Sequence, residues 1–188
     1  MSWNNFPFYL LFQTKHEALV AVYEIPQGQP EWKDTKYTEK AKSNGVLKGG
    51  VGCLVDTKRS GADENPLVSP ECWIGWRRDN VTAPYIKIEL TRSAPITGIR
   101  LSTYVDEGVK AETIMKFVVH TSRLFGTIPD HTLYACTPKE YYHISPRFVN
   151  FELGFGDIKA QYITLEFEYS SELIFIRQFD VLQGYWGF

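Results

Sequence analysis

Apolar and polar side chains alternate at a period of two through most of the C-terminal half of the chain. In Tyr85-Ile86-Lys87-Ile88-Glu89-Leu90 the even positions are aliphatic, while Lys87 and Glu89 occupy odd ones. That is the pattern of a strand with one face on a core and the other in solvent. The same reading predicts strands over residues 99–105, 114–120, 148–153, 162–169 and 174–182, each bounded by Gly, Pro, Ser or Asp. No comparable stretch repeats apolar residues at three and four behind a capping residue, so helix is expected to be minor. Short strands in series, with turn signals and no helices between them, predict an all-β antiparallel β-sandwich or barrel. From Gln27 to Ser69 the chain is rich in Gly, Lys, Asp and Pro. Long connecting loops are expected there, at one end of the sandwich, where ligands are usually met.

Composition agrees with this pattern. The 188 residues are 44% hydrophobic, 22% charged and 15% aromatic, which suits one well-buried β-rich core. A net charge of −2 supplies no field for nucleic acid or an anionic membrane surface. No apolar run reaches the roughly 18 residues needed to span a bilayer. The run from Phe6 to Phe12 is broken by Pro7 and has no basic leader, so it is not read as a signal peptide. Residues 1–15 are left unassigned, and residues 16–185 are expected to form one sandwich domain.

Motifs for catalysis are missing. Gly45 and Gly50 lie five apart, but Val51 stands where a phosphate-binding loop needs Lys, so a structural turn is expected there. The four histidines, His16, His120, His131 and His143, have no metal-ligand spacing. His120 is expected to be a satisfied, partly buried imidazole late in a strand. No nucleophile elbow, kinase loop or metal-hydrolase pair occurs, and the chain is not expected to be an enzyme. The segment Cys72-Trp73-Ile74-Gly75-Trp76-Arg77-Arg78 has two readings. Trp73, Trp76 and Arg77 form a platform for sugars or peptides, or the two indoles fill the core. Asn80-Val81-Thr82 is a glycosylation sequon, a pointer to secretion.

The order of motifs carries a resemblance. Gly49-Gly50-Val51-Gly52-Cys53-Leu54-Val55-Asp56, then Trp73-Ile74-Gly75-Trp76-Arg77, then Tyr85 to Leu90 resembles the discoidin-like, membrane-proximal domain of discoidin-domain receptor tyrosine kinases, which are collagen receptors. Pro146-Arg147-Phe148-Val149-Asn150-Phe151-Glu152-Leu153 and Ile174-Phe175-Ile176-Arg177-Gln178-Phe179 are similar to its closing strands. Leu19 to Tyr23 and Pro26 to Gln29 are similar to the segment that joins the receptor's first discoidin domain to this one. The likeness extends from about Glu17 to about Leu182, and the sequon at Asn80 falls where family members also carry one.

The resemblance implies a galactose-binding-like jelly roll and a non-catalytic extracellular module, structural and regulatory in receptor activation. Its partners would be the neighbouring first discoidin domain and other receptor chains, with collagen met only through the full receptor at the outer face of the plasma membrane. It also implies a calcium site. The matching positions are Lys33, Cys53, Asp56, Cys72 and Gln178, of which Asp56 alone keeps an anionic ligand, with Asp34 and Glu71 beside two others. Calcium takes 6–8 hard oxygens, so binding is expected to be weak or absent. Two residues in place of ligands to one ion would be neighbours, so Cys53 and Cys72 are expected either to form a disulfide or to remain two half-buried thiols. The family's own disulfide positions hold His120 and Ile163, and Cys136 is left over. The alternative function is a stand-alone carbohydrate- or peptide-binding jelly roll that uses Trp32, Trp73 and Trp76.

Overall fold

A computed structural model describes residues 16–17, 20–37, 45–55, 65–71, 73–111, 114–126, 128–136 and 147–184. Among them lie nine strands, all paired antiparallel, three 3-10 turns and no α-helix. The strands are β1 (His16–Glu17), β2 (Val20–Pro26), β3 (Val46–Gly50), β4 (Ile74–Arg77), β5 (Tyr85–Val105), β6 (Lys116–Ser122), β7 (His131–Cys136), β8 (Arg147–Glu168) and β9 (Leu173–Gln183). Three of them, β2, β3 and β4, fall in or near the stretch where the sequence reading expected mostly loops, and β7 went unpredicted.

Two strands run through both layers of the sandwich. Residues 85–90 of β5 and 162–168 of β8 lie in a first layer ordered β3-β2-β5-β8-β6-β7. Residues 94–105 of β5 and 147–160 of β8 belong to a second, in which β9 pairs β5 on one side and β4 and β1 on the other. The transition occurs at register shifts between Glu89 and Ala94 and between Ile96 and Gly98. Each bulge bends the strand and resets which face a residue takes. Ile86, Ile88 and Leu90 point inward from even positions, whereas Ile99 and Leu101 do so from odd ones. Pro95 sits between the two shifts, where a residue without an amide proton is tolerated.

The inner faces share one apolar interior. Ile25, Leu47, Ile86, Leu165 and Phe117 from the first layer meet Leu101, Ile174, Ile176 and Phe179 from the second. Burying one such side chain stabilises by about 1.5–3 kcal/mol, against roughly 0–1 kcal/mol for a surface ion pair, so the core outweighs the charged outer faces. A smaller cluster, Trp73, Tyr104, Ala111, Leu173 and Phe175, packs with Trp32, Val109 and Phe148. It occupies the outward side of the second layer, since Tyr104 alternates with the core residue Leu101 along β5.

Candidate functional site

Strand register draws one polar line across the outer face of the first layer. Lys48 on β3 faces Glu24 on β2, Glu24 faces Lys87 on β5, and Lys87 faces Thr164 on β8. Thr164 then faces His120 on β6, and His120 faces Thr132 on β7. Glu24 is the hub. Its carboxylate takes Lys48 Nζ at 2.9 Å and Lys87 Nζ at 3.2 Å, and accepts the Tyr85 hydroxyl at 3.1 Å. Burial pushes the Glu24 carboxyl up, but the two ammonium groups outweigh it and hold the carboxyl below its usual range. Tyr85 is pushed up to about 12 by burial and then by the Glu24 charge. His120 Nδ1 lies 2.9 Å from Thr132 Oγ1, the satisfied, partly buried imidazole expected from sequence.

One row further along, Glu89 faces Tyr162, and Tyr162 faces Ser122. The Tyr162 hydroxyl donates to Glu89 Oε1 at 3.4 Å, and burial followed by that carboxylate raises its pKa. The β6–β7 hairpin rises beside this row. Phe125, 78% exposed, places its ring 5.6 Å from that of Tyr162, edge to face. Asp130 pins the hairpin, accepting the Arg123 amide at 2.9 Å and its Nε at 3.2 Å. Gly126 takes the left-handed conformation of the turn, with φ +70. Between the hairpin and the polar line lies a hollow of about 370 Å³. Exposed aromatic surface beside carboxylate, ammonium and imidazole groups suits a ligand with apolar and hydroxylated faces.

The residues singled out from sequence lie elsewhere. Trp73 is 1% exposed and Trp76 is fully buried. Neither ring has a face open to a ligand, and the platform reading is corrected on that ground. Trp73 packs on Tyr104, Phe148 and Phe175, with the Arg177 guanidinium 5.7 Å from its ring centroid. Trp76 packs on Phe167. Arg77 is exposed and lies 3.7 Å from Asp79. Trp32, half-buried, stacks edge-on against Phe175 and donates its indole N–H to the Pro66 carbonyl. Asn80 is exposed on the turn after β4.

Asp56 and Cys72 fall outside the described residues. Cys53 is buried, and its amide donates to Asp34 Oδ2 at 2.9 Å, while Asp34 Oδ1 accepts the Lys36 amide at 2.9 Å. Asp34 therefore ties two loops through backbone amides. Gln178 donates to Asp180 at 2.6 Å, and Lys33 is exposed. Of the positions that the resemblance matches to calcium ligands, Lys33 offers an ammonium and Cys53 a sulfur, neither of them the hard oxygen that calcium prefers.

Sequence reasoning passed over Glu24, Glu89, Phe125 and Tyr162. Glu89 was legible as solvent-facing from the alternation in 85–90. A Phe immediately before a turn Gly was the available signal for Phe125, since a large apolar side chain at a loop tip buries little of itself.

No protein-family model and no curated protein matches the chain. Among solved structures it is similar to a fucose binding module of Streptococcus pneumoniae, at 11% identity and a TM-score of 0.51, over 90% of this chain and 96% of that one. A second fucose binding module of the same organism aligns at 9% identity and a TM-score of 0.52, over 87% and 94%. The chain has the discoidin-like jelly-roll fold. The F5/8 type C domain of a Bacteroides fragilis protein also matches, at 7% identity and a TM-score of 0.40, over 61% and 73%, too distant to add to that conclusion. These likenesses show the fold and do not support the receptor or collagen expectations.

Proposed function

We propose that the chain is a non-catalytic carbohydrate-binding module whose ligand occupies the hollow between the β6–β7 hairpin and the Glu24 line. The observation that carries this reading is the exposed Phe125 ring set against Tyr162, directly beside Glu89 and Lys87. An aromatic ring takes the apolar face of a sugar, and the charged groups take its hydroxyls by charge-assisted hydrogen bonds. Two neighbours in fold are described as fucose binding modules. Their likeness in fold lends weight to the carbohydrate reading over a receptor module, which rests on motif order alone. An extracellular setting is part of the proposal, with Asn80 on an exposed turn open to glycosylation.

The experiment is a glycan array read with the wild-type chain and with Phe125→Ala. Binding to at least one glycan, lost or weakened in the variant while its circular dichroism spectrum is unchanged, is the expected result. Silence across the array, or a variant that binds as well as the parent, would overturn it.

A further inference from the structure

A second hollow lies on the same face. It measures about 340 Å³ and is lined by Tyr85, Lys116, Val118, Glu166 and Glu168 among others. Tyr85 faces Glu166 and Glu166 faces Val118, so this row is two residues beyond the row of Lys87, Thr164 and His120. Lys116 and Glu168 form the next row and an ion pair at 3.0 Å. Along β6, the two hollows together span Ser122 to Lys116, a distance of about 20 Å at the rise of an antiparallel strand. One sugar ring does not fill that length.

The two linings have no residue in common, but they touch. Lys87 lines the first, and its ammonium lies 4.7 Å from the ring centroid of Tyr85, which lines the second. Glu24 holds both Lys87 and Tyr85, so one carboxylate orients donors on either side of the boundary.

We infer that the groove takes a linear, charge-neutral oligosaccharide laid along the strands, with successive rings in the two hollows. This rests on the carbohydrate reading above and adds the length and charge of the ligand. Charge supports it. In the first hollow Lys48 and Lys87 cancel Glu24 and Glu89; the second holds one lysine, Lys116, against two carboxylates, Glu166 and Glu168, leaving one excess negative charge. A sulfated or uronate-bearing chain finds no net positive field in such a groove, and neither does a nucleic acid. A peptide is disfavoured for another reason. Backbone groups in the middle of a sheet are already paired, so a ligand on the face is read by side chains alone, whereas extended peptides draw affinity from main-chain bonds at a sheet edge.

The test is calorimetric titration of the full chain with neutral gluco-, manno- and galacto-oligosaccharides from one ring to six, with oligogalacturonates of matched length alongside. Affinity should rise about tenfold or more from one ring to the longer chains, the gain expected from two or more added hydrogen bonds. Glu166→Ala should flatten that dependence on length, and the uronates should bind more weakly than neutral chains of equal length. A monosaccharide that binds as tightly as the hexamer, or uronates that bind better, would overturn the extended neutral site while leaving the carbohydrate reading intact. No binding by any sugar in the series or on the array would remove both.

Discussion

The indole N–H of Trp76 donates to the backbone carbonyl of Pro26 at 2.9 Å, inside the core and across 50 residues of chain. This bond explains why an aromatic that looked available for a ligand is sealed instead. It satisfies the one polar group of the ring, and Pro26 is the last residue of β2. Trp76→Phe should cost about 1–3 kcal/mol, because the Pro26 carbonyl is left buried without its donor. Urea denaturation measures this, and a variant as stable as the parent would show that the carbonyl finds another donor.

Gly75 lies between the two tryptophans with no room for a side chain. A Cβ there would fall 2.9 Å from Trp32 Cβ and 3.1 Å from Phe175 Cε1. Gly75→Ala should destabilise by about 1–3 kcal/mol through overpacking, seen as a lowered melting temperature and altered Trp fluorescence. An unchanged melting curve would mean that Trp32 moves aside at no cost.

Stability should fall off on both sides of neutral pH through the same hub. Glu24 is held below its ordinary value of 4.5, so its contribution is present above that value and disappears as pH drops through the lowered one. Tyr85 is raised from 10.0 to about 12. Its contribution is complete below 10.0 and is lost as pH climbs to about 12, where a phenolate would meet the Glu24 carboxylate. Denaturation midpoints across pH for wild type and Glu24→Gln check this: the variant should lose its share of the acid limb, and parallel profiles would contradict the assignment.

Asp130 sits at the base of the Phe125 hairpin, and the Arg123 amide and side chain hold its carboxyl below the usual range. Asp130→Ala should leave global stability nearly unchanged, since the residue is exposed and buries no core surface. Exchange of the Arg123 amide should quicken and glycan affinity should drop, measured by hydrogen exchange and calorimetry. Unchanged exchange would show that the hairpin holds without this pin.

Cys53 is proposed to pair with Cys72. Because Cys53 is fully buried, alkylation is done in denaturant without reductant and followed by peptide mapping. Recovery of a linked Cys53–Cys72 peptide is expected, and an alkylated Cys53 would refute the pairing.

Local pattern determined a good deal of this protein. Alternation in 85–90 predicted a strand and named Ile86, Ile88 and Leu90 as its inward residues, and the same reading predicted a strand over 174–182, because side-chain period follows from backbone geometry within a few residues. Tertiary structure decided the rest. Bulges fused residues 85–90 and 99–105 into one strand with opposite inward parity, and a partner carbonyl at Pro26 settled the fate of Trp76. The line from Lys48 through Glu24 and Lys87 to His120 exists only because strands far apart in sequence share a register. Register depends on pairing energies summed over the whole sheet, and no window of sequence contains that sum.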